Sequence, residues 1–406
     1  MWKKPLLAIA CLIGFQVVAP LLAEEAQPLP SSTIDLATFG YSKAKSAYIS
    51  DKKAFRDLSL LVQDDKSRLS FVSPNTLAVY FTRTATKTDG EAGKASATME
   101  ALFIDVDARK LIKRQSWNTL KRQWFNESYD TESRVMEVHN GFLVHAGGML
   151  ELYTPDLRLV NKYDLCTDEP ECKGMWSVKV APGGDVIYVQ PFAQLNRVRS
   201  GTVSYFAGAD DANGRWLRSD SFQKIGDQNY FGGPDSISNN AIVTKRAHCL
   251  DLQGIGEPSH HLSCSRPVAD GFPTFLNDRE ILSVHDDGFS VLSTGGTEIW
   301  TKGGIDPGGR RTVFVSNHRR SMDGSRFAVS LSGLKKKIEF DGVLLARGPL
   351  ETILIYDESC RQNVFSVAYR IGAHDSDFAL SPDGHTLAVL EGTTINVYTL
   401  PGANCR

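Results

Sequence analysis

A tight turn followed by short apolar strands recurs along this sequence, and it limits the folds open to the chain. The last copy is SPDGHTLAVLEGTTINVYTLP, at residues 381–401. Its Pro382 presets φ, Asp383 can bond back to the main chain, and Gly384 tolerates unusual dihedral angles. The flanking segments are rich in β-branched and apolar residues. They predict three short strands in an antiparallel meander.

Six earlier segments repeat this arrangement. Their turns lie at Pro74, His139, Pro182, Asn239, Asn277 and Met322. The steps from the first turn to Pro382 average about 51 residues, a period typical of propellers and solenoids. Each copy supplies about four strands with period-two alternation. We therefore predict an all-β fold, a seven-bladed β-propeller over residues 67–406, because four-stranded blades around an axis bury both of their faces. Two independent sandwiches are the alternative, and seven similar units disfavour it.

The two ends of the chain predict how the ring closes. The last copy lacks an outer strand, whereas Thr33–Tyr41, in the N-terminal segment 24–66, is strand-like. We expect this segment to pair into the last blade, because closure removes two exposed sheet edges.

The N-terminus resembles a secretory signal peptide. Lys3 and Lys4 precede an apolar run, and Ala23 stands before two glutamates. This pattern predicts a signal peptide over residues 1–23, with a single membrane anchor as the alternative. We expect a secreted or periplasmic monomer with no membrane span after cleavage. Cleavage removes two lysines and no acid, so the formal charge moves from −2 to −4, and nothing indicates nucleic-acid binding.

Six cysteines follow the signal segment, and an even number in an exported chain predicts disulfides. Their grouping favours three bonds, which join Cys166 with Cys172, Cys249 with Cys264, and Cys360 with Cys405. No CxxC or CxxCH spacing occurs.

The SPDG, SMDG and APGG turns, each before an apolar strand, resemble those of the WD40-like and YVTN-like seven-bladed propeller superfamily, specifically its exported bacterial members. The chain departs from eukaryotic WD40 repeats, since neither the Gly-His pair nor the Trp-Asp dipeptide recurs. Tyr356-Asp357 is a single partial match to the Trp-Asp dipeptide. The resemblance implies a binding platform, an assembly factor, a lactonase or a dehydrogenase subunit. The fold therefore implies little about chemistry.

No motif predicts a catalytic residue, a metal or a cofactor. The chain has no GxSxG elbow, no HExxH motif and no DxDxDG loop. His260 and His261 lie close to Cys264, but adjacent histidines on a strand point to opposite faces, which disfavours a metal site. An enzyme of the lactonase or lyase kind is the alternative hypothesis, with Asp185, His285 or His145 at the central channel.

Two insertions carry more information about binding. Residues 83–100 and 332–350 both interrupt the connection between the second and third strands of a blade, and the loop FAQLNRVRS is its equivalent in the third blade. These loops would emerge on one face and expose five cations: Arg197, Arg199, Lys335, Lys336 and Lys337. Loops on a rigid scaffold commonly carry function. We therefore expect a non-enzymatic platform that binds an unknown protein or envelope ligand, with a solvated flexible loop as the alternative interpretation of the cations.

Overall fold

The computed structural model describes residues 27–41, 68–84, 97–119, 122–124, 127–129, 133–165, 167, 175–192, 198–199, 202–203, 213–220, 222–229, 235–246, 249–255, 257–263, 273–285, 288–303, 313–333, 339–340, 343–344, 350–370 and 376–402. These residues form antiparallel β-sheet, with a single short 3-10 helix at Leu36–Phe39.

The strands are numbered in chain order. The first seventeen are β1 (Ser32–Asp35), β2 (Arg68–Ser73), β3 (Thr76–Thr84), β4 (Ala97–Asp105), β5 (Lys110–Thr119), β6 (Arg122–Trp124), β7 (Glu127–Tyr129), β8 (Arg134–Val138), β9 (Gly141–Ala146), β10 (Met149–Tyr153), β11 (Leu159–Asp164), β12 (Met175–Val180), β13 (Val186–Phe192), β14 (Val198–Arg199), β15 (Thr202–Val203), β16 (Asn213–Arg218) and β17 (Lys224–Asn229). The others are β18 (Ser236–Ile237), β19 (Ala241–Arg246), β20 (Cys249–Gly254), β21 (His260–Ser263), β22 (Thr274–Phe275), β23 (Glu280–His285), β24 (Gly288–Ser293), β25 (Glu298–Lys302), β26 (Val313–Arg320), β27 (Arg326–Gly333), β28 (Glu339–Phe340), β29 (Val343–Leu344), β30 (Leu350–Asp357), β31 (Gln362–Arg370), β32 (Ser376–Leu380), β33 (Thr386–Glu391) and β34 (Thr394–Thr399).

Seven four-stranded antiparallel sheets form the blades. Blades 1 to 6 are β2-β3-β4-β5, β8-β9-β10-β11, β12-β13-β16-β17, β18-β19-β20-β21, β22-β23-β24-β25 and β26-β27-β30-β31, each written from its innermost to its outermost strand. Blade 7 is β32-β33-β34 with β1 as its outermost strand. Three two-stranded hairpins, β6-β7, β14-β15 and β28-β29, lie outside the blades.

Buried apolar side chains fill the spaces between neighbouring blades. Within the described part of the chain they form seven clusters, one for each pair of neighbours around the ring. Leu69 of blade 1 and Ala388 of blade 7 share one cluster, so the last blade packs on the first. The seven-bladed propeller predicted from the turns is thereby confirmed, because every blade buries both of its faces against a neighbour.

The N-terminal strand closes the ring, as predicted. β1 pairs antiparallel with β34, with Ser32 opposite Val397 and Asp35 opposite Thr394. The side chain of Ile34 is buried between blades 7 and 1. The strand is shorter than the predicted segment, because the Asp35 side chain accepts a hydrogen bond from the Ala37 N–H and begins the 3-10 helix.

The seven predicted turn positions all lie between the first and second strands of their blades. In blade 7 the Thr386 N–H donates to Ser381 Oγ over 2.8 Å, and the His385 N–H donates to Asp383 Oδ1 over 3.1 Å. Gly384 has a φ of +68°, and a Cβ there would lie 2.7 Å from Ser325 Oγ. The turn therefore requires glycine at this position.

Candidate functional site

Three blades carry long connections on one face of the propeller. In blades 1, 3 and 6 the second strand ends at Thr84, Phe192 and Gly333, and the third begins at Ala97, Asn213 and Leu350. In blades 3 and 6 these connections contain the hairpins β14-β15 and β28-β29. Since every blade repeats one strand order around one axis, all the connections between second and third strands emerge on the same side. We call this side the loop-bearing face.

The five cations predicted to bind belong to two of these connections. Arg199 lies in β14, and its side chain lies outside the described part of the structure. Arg197 and Lys335–Lys337 also lie outside the described residues. Their role in binding stays a prediction.

The axis of the propeller carries a second group of charges, which sequence reasoning missed. The seven innermost strands contain five lysines and arginines: Arg68, Arg134, Lys179, Arg319 and Arg320. The same strands contain two acids, Glu137 and Asp377. We call the five basic side chains the axial cations. The chain as a whole is slightly acidic, so the innermost strands concentrate positive charge.

At the end of the axis near the loop-bearing face, several charges surround one carboxylate. Asp377 accepts the Leu69 N–H over 2.9 Å and forms an ion pair of 3.0 Å with Arg319. Arg68 is opposite Tyr80 in the adjacent strand. Burial raises the pKa of the Tyr80 hydroxyl, and the charges of Arg68, Arg134 and Arg319 oppose that rise.

At the other end a side chain crosses the axis. Arg320, the last residue of β26 in blade 6, donates from Nη1 to the carbonyl of Pro182 in blade 3 over 2.7 Å. Blades 3 and 6 are three positions apart in a ring of seven, so the guanidinium must span the centre. Burial lowers the pKa of Arg320 to about 10, against an attraction to Glu137.

Glu137 carries a carboxyl group on the innermost strand of blade 2. Burial raises its pKa to about 8, although Arg320 acts in the opposite direction. Its Oε1 is buried and has no hydrogen-bond partner among the described residues. Perturbed carboxyl groups of this kind cluster at functional sites, but buried charges in structural networks behave similarly.

The residues named in the enzyme hypothesis lie elsewhere. Asp185 lies in the turn between β12 and β13, with its Oδ1 3.7 Å from His139 Nδ1. His145 is buried in β9, the second strand of blade 2. His285 ends β23, and its side chain lies outside the described part of the chain. None of the three lies on an innermost strand.

Two of the six cysteines, Cys249 and Cys360, lie in the described part of the chain. Cys249 begins β20, and its neighbour Leu250 pairs with Ser263, the residue before Cys264. Cys360 lies in the turn between β30 and β31 of blade 6. Cys166, Cys172, Cys264 and Cys405 lie outside the described residues, so the three pairings stay predictions.

Polar and apolar clusters elsewhere have structural roles. Trp117, Trp216 and Trp300 pack between blades. His261 bonds through Nδ1 to Asp251 of the adjacent strand. The described residues contain no group of three or more His, Cys, Asp or Glu side chains placed to hold a metal ion. In the same part of the chain, no helix is long and apolar enough to cross a membrane.

The sequence held one signal for the axial cations. The innermost strands RLSFVS, RVMEV, MWSVKV and VFVSNHRR carry basic residues in segments that are otherwise largely apolar or small. A cation on the first strand of several copies of a propeller repeat points to the axis, because the first strand of each blade is the innermost. This signal can be interpreted only when the strand order is known, because that order shows which strand of each blade is innermost.

Comparison with known proteins adds no family assignment. No protein-family model and no curated protein matches the chain. Among solved structures it is similar to Hsv2 of Kluyvelomyces marxianus, at 13% identity and a TM-score of 0.37 over 72% of this chain and 85% of that one. It is also similar to the WD40 domain of Neurospora crassa Pan2, at 9% identity and a TM-score of 0.43 over 84% and 90% of the two chains.

The topology itself decides the architecture. Seven four-stranded antiparallel blades run in chain order from the axis outward, and an N-terminal strand completes the last blade. The chain is therefore a seven-bladed β-propeller. The fold predicted from the SPDG, SMDG and APGG turns is thereby confirmed.

Proposed function

We propose that this protein is an exported, non-enzymatic binding platform whose loop-bearing face binds an anionic protein or envelope ligand. One observation supports the proposal above the others: the connections between the second and third strands of blades 1, 3 and 6 are long, and all three emerge on that face. A rigid ring carrying long loops on one side is suited to recognition, because the scaffold fixes where the loops begin and end. Export rests on the pattern of the first 23 residues alone.

The charge of two of the three connections supports an anionic partner. Arg197 and Arg199 belong to the connection of blade 3, and Lys335, Lys336 and Lys337 belong to that of blade 6. Basic side chains gathered on one side of an otherwise acidic molecule attract anions and raise association rates at low ionic strength. Blades 1 and 6 are separated only by blade 7, so their connections are close enough to contact one extended ligand together.

A hydrolase or lactonase-like enzyme acting at the central channel is the alternative function. The observation that favours it is Glu137, whose pKa of about 8 leaves the carboxyl group largely protonated at neutral pH and able to donate a proton. Hydrolysis of a lactone or ester panel by the purified protein, abolished by Glu137→Gln, would support this alternative over the binding platform.

Binding to heparin oligosaccharides tests the binding platform, since heparin is a dense anionic glycan. We expect measurable binding by the mature protein that weakens steeply between 50 and 300 mM NaCl, choices of ionic strength that span strong and weak screening. Replacement of Arg197, Arg199, Lys335, Lys336 and Lys337 by glutamine should weaken it about tenfold or more.

A matched variant controls for overall charge. Five cations, Lys110, Arg158, Arg218, Lys224 and Arg279, are exposed on the opposite side of the propeller, in or next to turns that join first to second or third to fourth strands. Their replacement by glutamine should leave heparin binding within about twofold of the original. Equal losses in the two variants, or no binding by the original protein, would exclude the proposed face.

A further inference from the structure

Positive charge predominates on the innermost strands of the propeller. Five of the charged residues on these strands are basic and two are acidic. Burying like charges together is unfavourable unless a counter-charge is present. Asp235, placed just before β18, adds one more carboxyl group, and burial raises its pKa.

Among the described residues of the innermost strands, the carboxylate at the loop-side end is already engaged. Asp377 forms an ion pair of 3.0 Å with Arg319 Nη2 and accepts the Leu69 N–H over 2.9 Å. The Asn317 side-chain amide is also within 3.5 Å of its Oδ1. The carboxylate of Asp377 is therefore paired with Arg319. Arg68 and Arg134 lie on two other innermost strands, β2 and β8.

Arg134 lacks a full set of partners. It is the first residue of β8, and Arg68 is the first residue of β2, the innermost strand of the adjacent blade. The Nε of Arg134 is buried and has no hydrogen-bond partner among the described residues. A buried guanidinium N–H without an acceptor is unfavourable, so an acceptor supplied by a ligand would be stabilising.

The strand directions also determine the face of the propeller from which a ligand can reach Arg68 and Arg134. The first residues of innermost strands lie at the loop-bearing face, because that face carries the ends of the antiparallel second strands. The opposite end of the axis is crossed by Arg320, which donates to the Pro182 carbonyl over 2.7 Å. Arg68 and Arg134 are therefore reached from the loop-bearing face.

We propose that the loop-side end of the axis is a binding site for a small oxyanion of the phosphate class, held by the guanidinium groups of Arg68 and Arg134. A guanidinium presents a planar fork of N–H donors that matches two oxygens of a phosphate. The site does not depend on the proposed function of the insertions, since neither arginine belongs to them.

Isothermal titration of the whole mature protein with inorganic phosphate tests this site, in a chloride buffer of low ionic strength. We expect saturable binding of one phosphate per chain. Arg134→Gln and Arg68→Gln should each weaken it at least tenfold. Arg134→Lys should weaken it less than Arg134→Gln, because it keeps the charge and loses the fork.

Arg158→Gln is the matched control, because Arg158 is an exposed arginine in the turn between β10 and β11. It should bind phosphate as the original protein does. Thermal unfolding separates loss of the site from loss of the fold, since phosphate should raise the melting temperature of the control variant and not that of a folded Arg134→Gln variant. Absence of saturable binding by the original protein, or equal affinity in the control and the Arg134→Gln variant, would overturn the proposal.

Discussion

His318 shows how the axial charges act on a single side chain. It lies on β26 and contacts Thr274 of the neighbouring blade through Nε2. Burial, together with the nearby positive charges of Arg319, Lys179 and Arg320, lowers its pKa to about 4. The imidazole is therefore neutral at pH 7, and the axis avoids a further buried cation.

This pKa predicts a loss of stability in acid. The unfolded histidine has an ordinary value of 6.5, so between pH 6.5 and about 4 the unfolded state binds more protons than the folded state. Stability from His318 is present above pH 6.5 and falls as the pH falls through this window, by about 3 kcal/mol. Urea unfolding at pH 7 and pH 4.5 should show a smaller loss for His318→Gln than for the original protein.

His385, exposed in the first turn of blade 7, provides the control for this measurement. His385→Gln should lose as much stability on acidification as the original protein. Identical losses in His318→Gln and the original protein would show that His318 does not carry the effect.

At the scale of elements, β1 is the strand on which ring closure depends. It is the only strand of the N-terminal segment in the described chain, and it covers the edge of β34. Successive residues alternate in their surroundings: the side chain of Thr33 is exposed, whereas Ile34 is buried with 2% of its surface exposed. Neighbouring positions on one strand therefore offer a matched pair of substitutions.

We expect Ile34→Asp to lower the free energy of unfolding by about 3 kcal/mol or more, because it places a carboxylate in the apolar cluster between blades 7 and 1. Loss of β1 would also expose the edge of β34, so the variant should associate at high concentration. Urea denaturation and size-exclusion chromatography measure the two effects. Thr33→Asp should change stability by less than about 0.5 kcal/mol; an equal effect of both substitutions would argue against closure by this strand.

The elements also show what sequence could and could not predict. The seven turns were predictable because their signal is local: Ser381, Asp383 and Gly384 act on each other within one turn. The bond from Tyr369 to Glu351 was not predictable, since it joins the third and fourth strands of a blade across an unknown register. Ser330 Oγ also donates to that carboxylate over 2.6 Å, so three strands must be aligned before the buried acid is satisfied.

At the scale of the whole molecule, contacts at the axis join residues that only the ring brings together. Arg320 and Pro182 are 138 residues apart, and Leu69 and Asp377 are 308 apart, yet each pair is hydrogen-bonded at the axis. No spacing in the sequence indicates such contacts. The two insertions could be identified from the sequence because each interrupts a single repeat. The strand order alone predicts that they emerge on the same face.

Hydrogen–deuterium exchange with and without a heparin oligosaccharide tests most directly whether the propeller binds through its loop-bearing face. We expect slower exchange on binding in residues 85–96, 193–212 and 334–349, the connections of blades 1, 3 and 6. The turns on the opposite side, at residues 182–185, 321–325 and 381–385, should exchange at unchanged rates. Protection of those turns, with no protection of the three connections, would contradict the account.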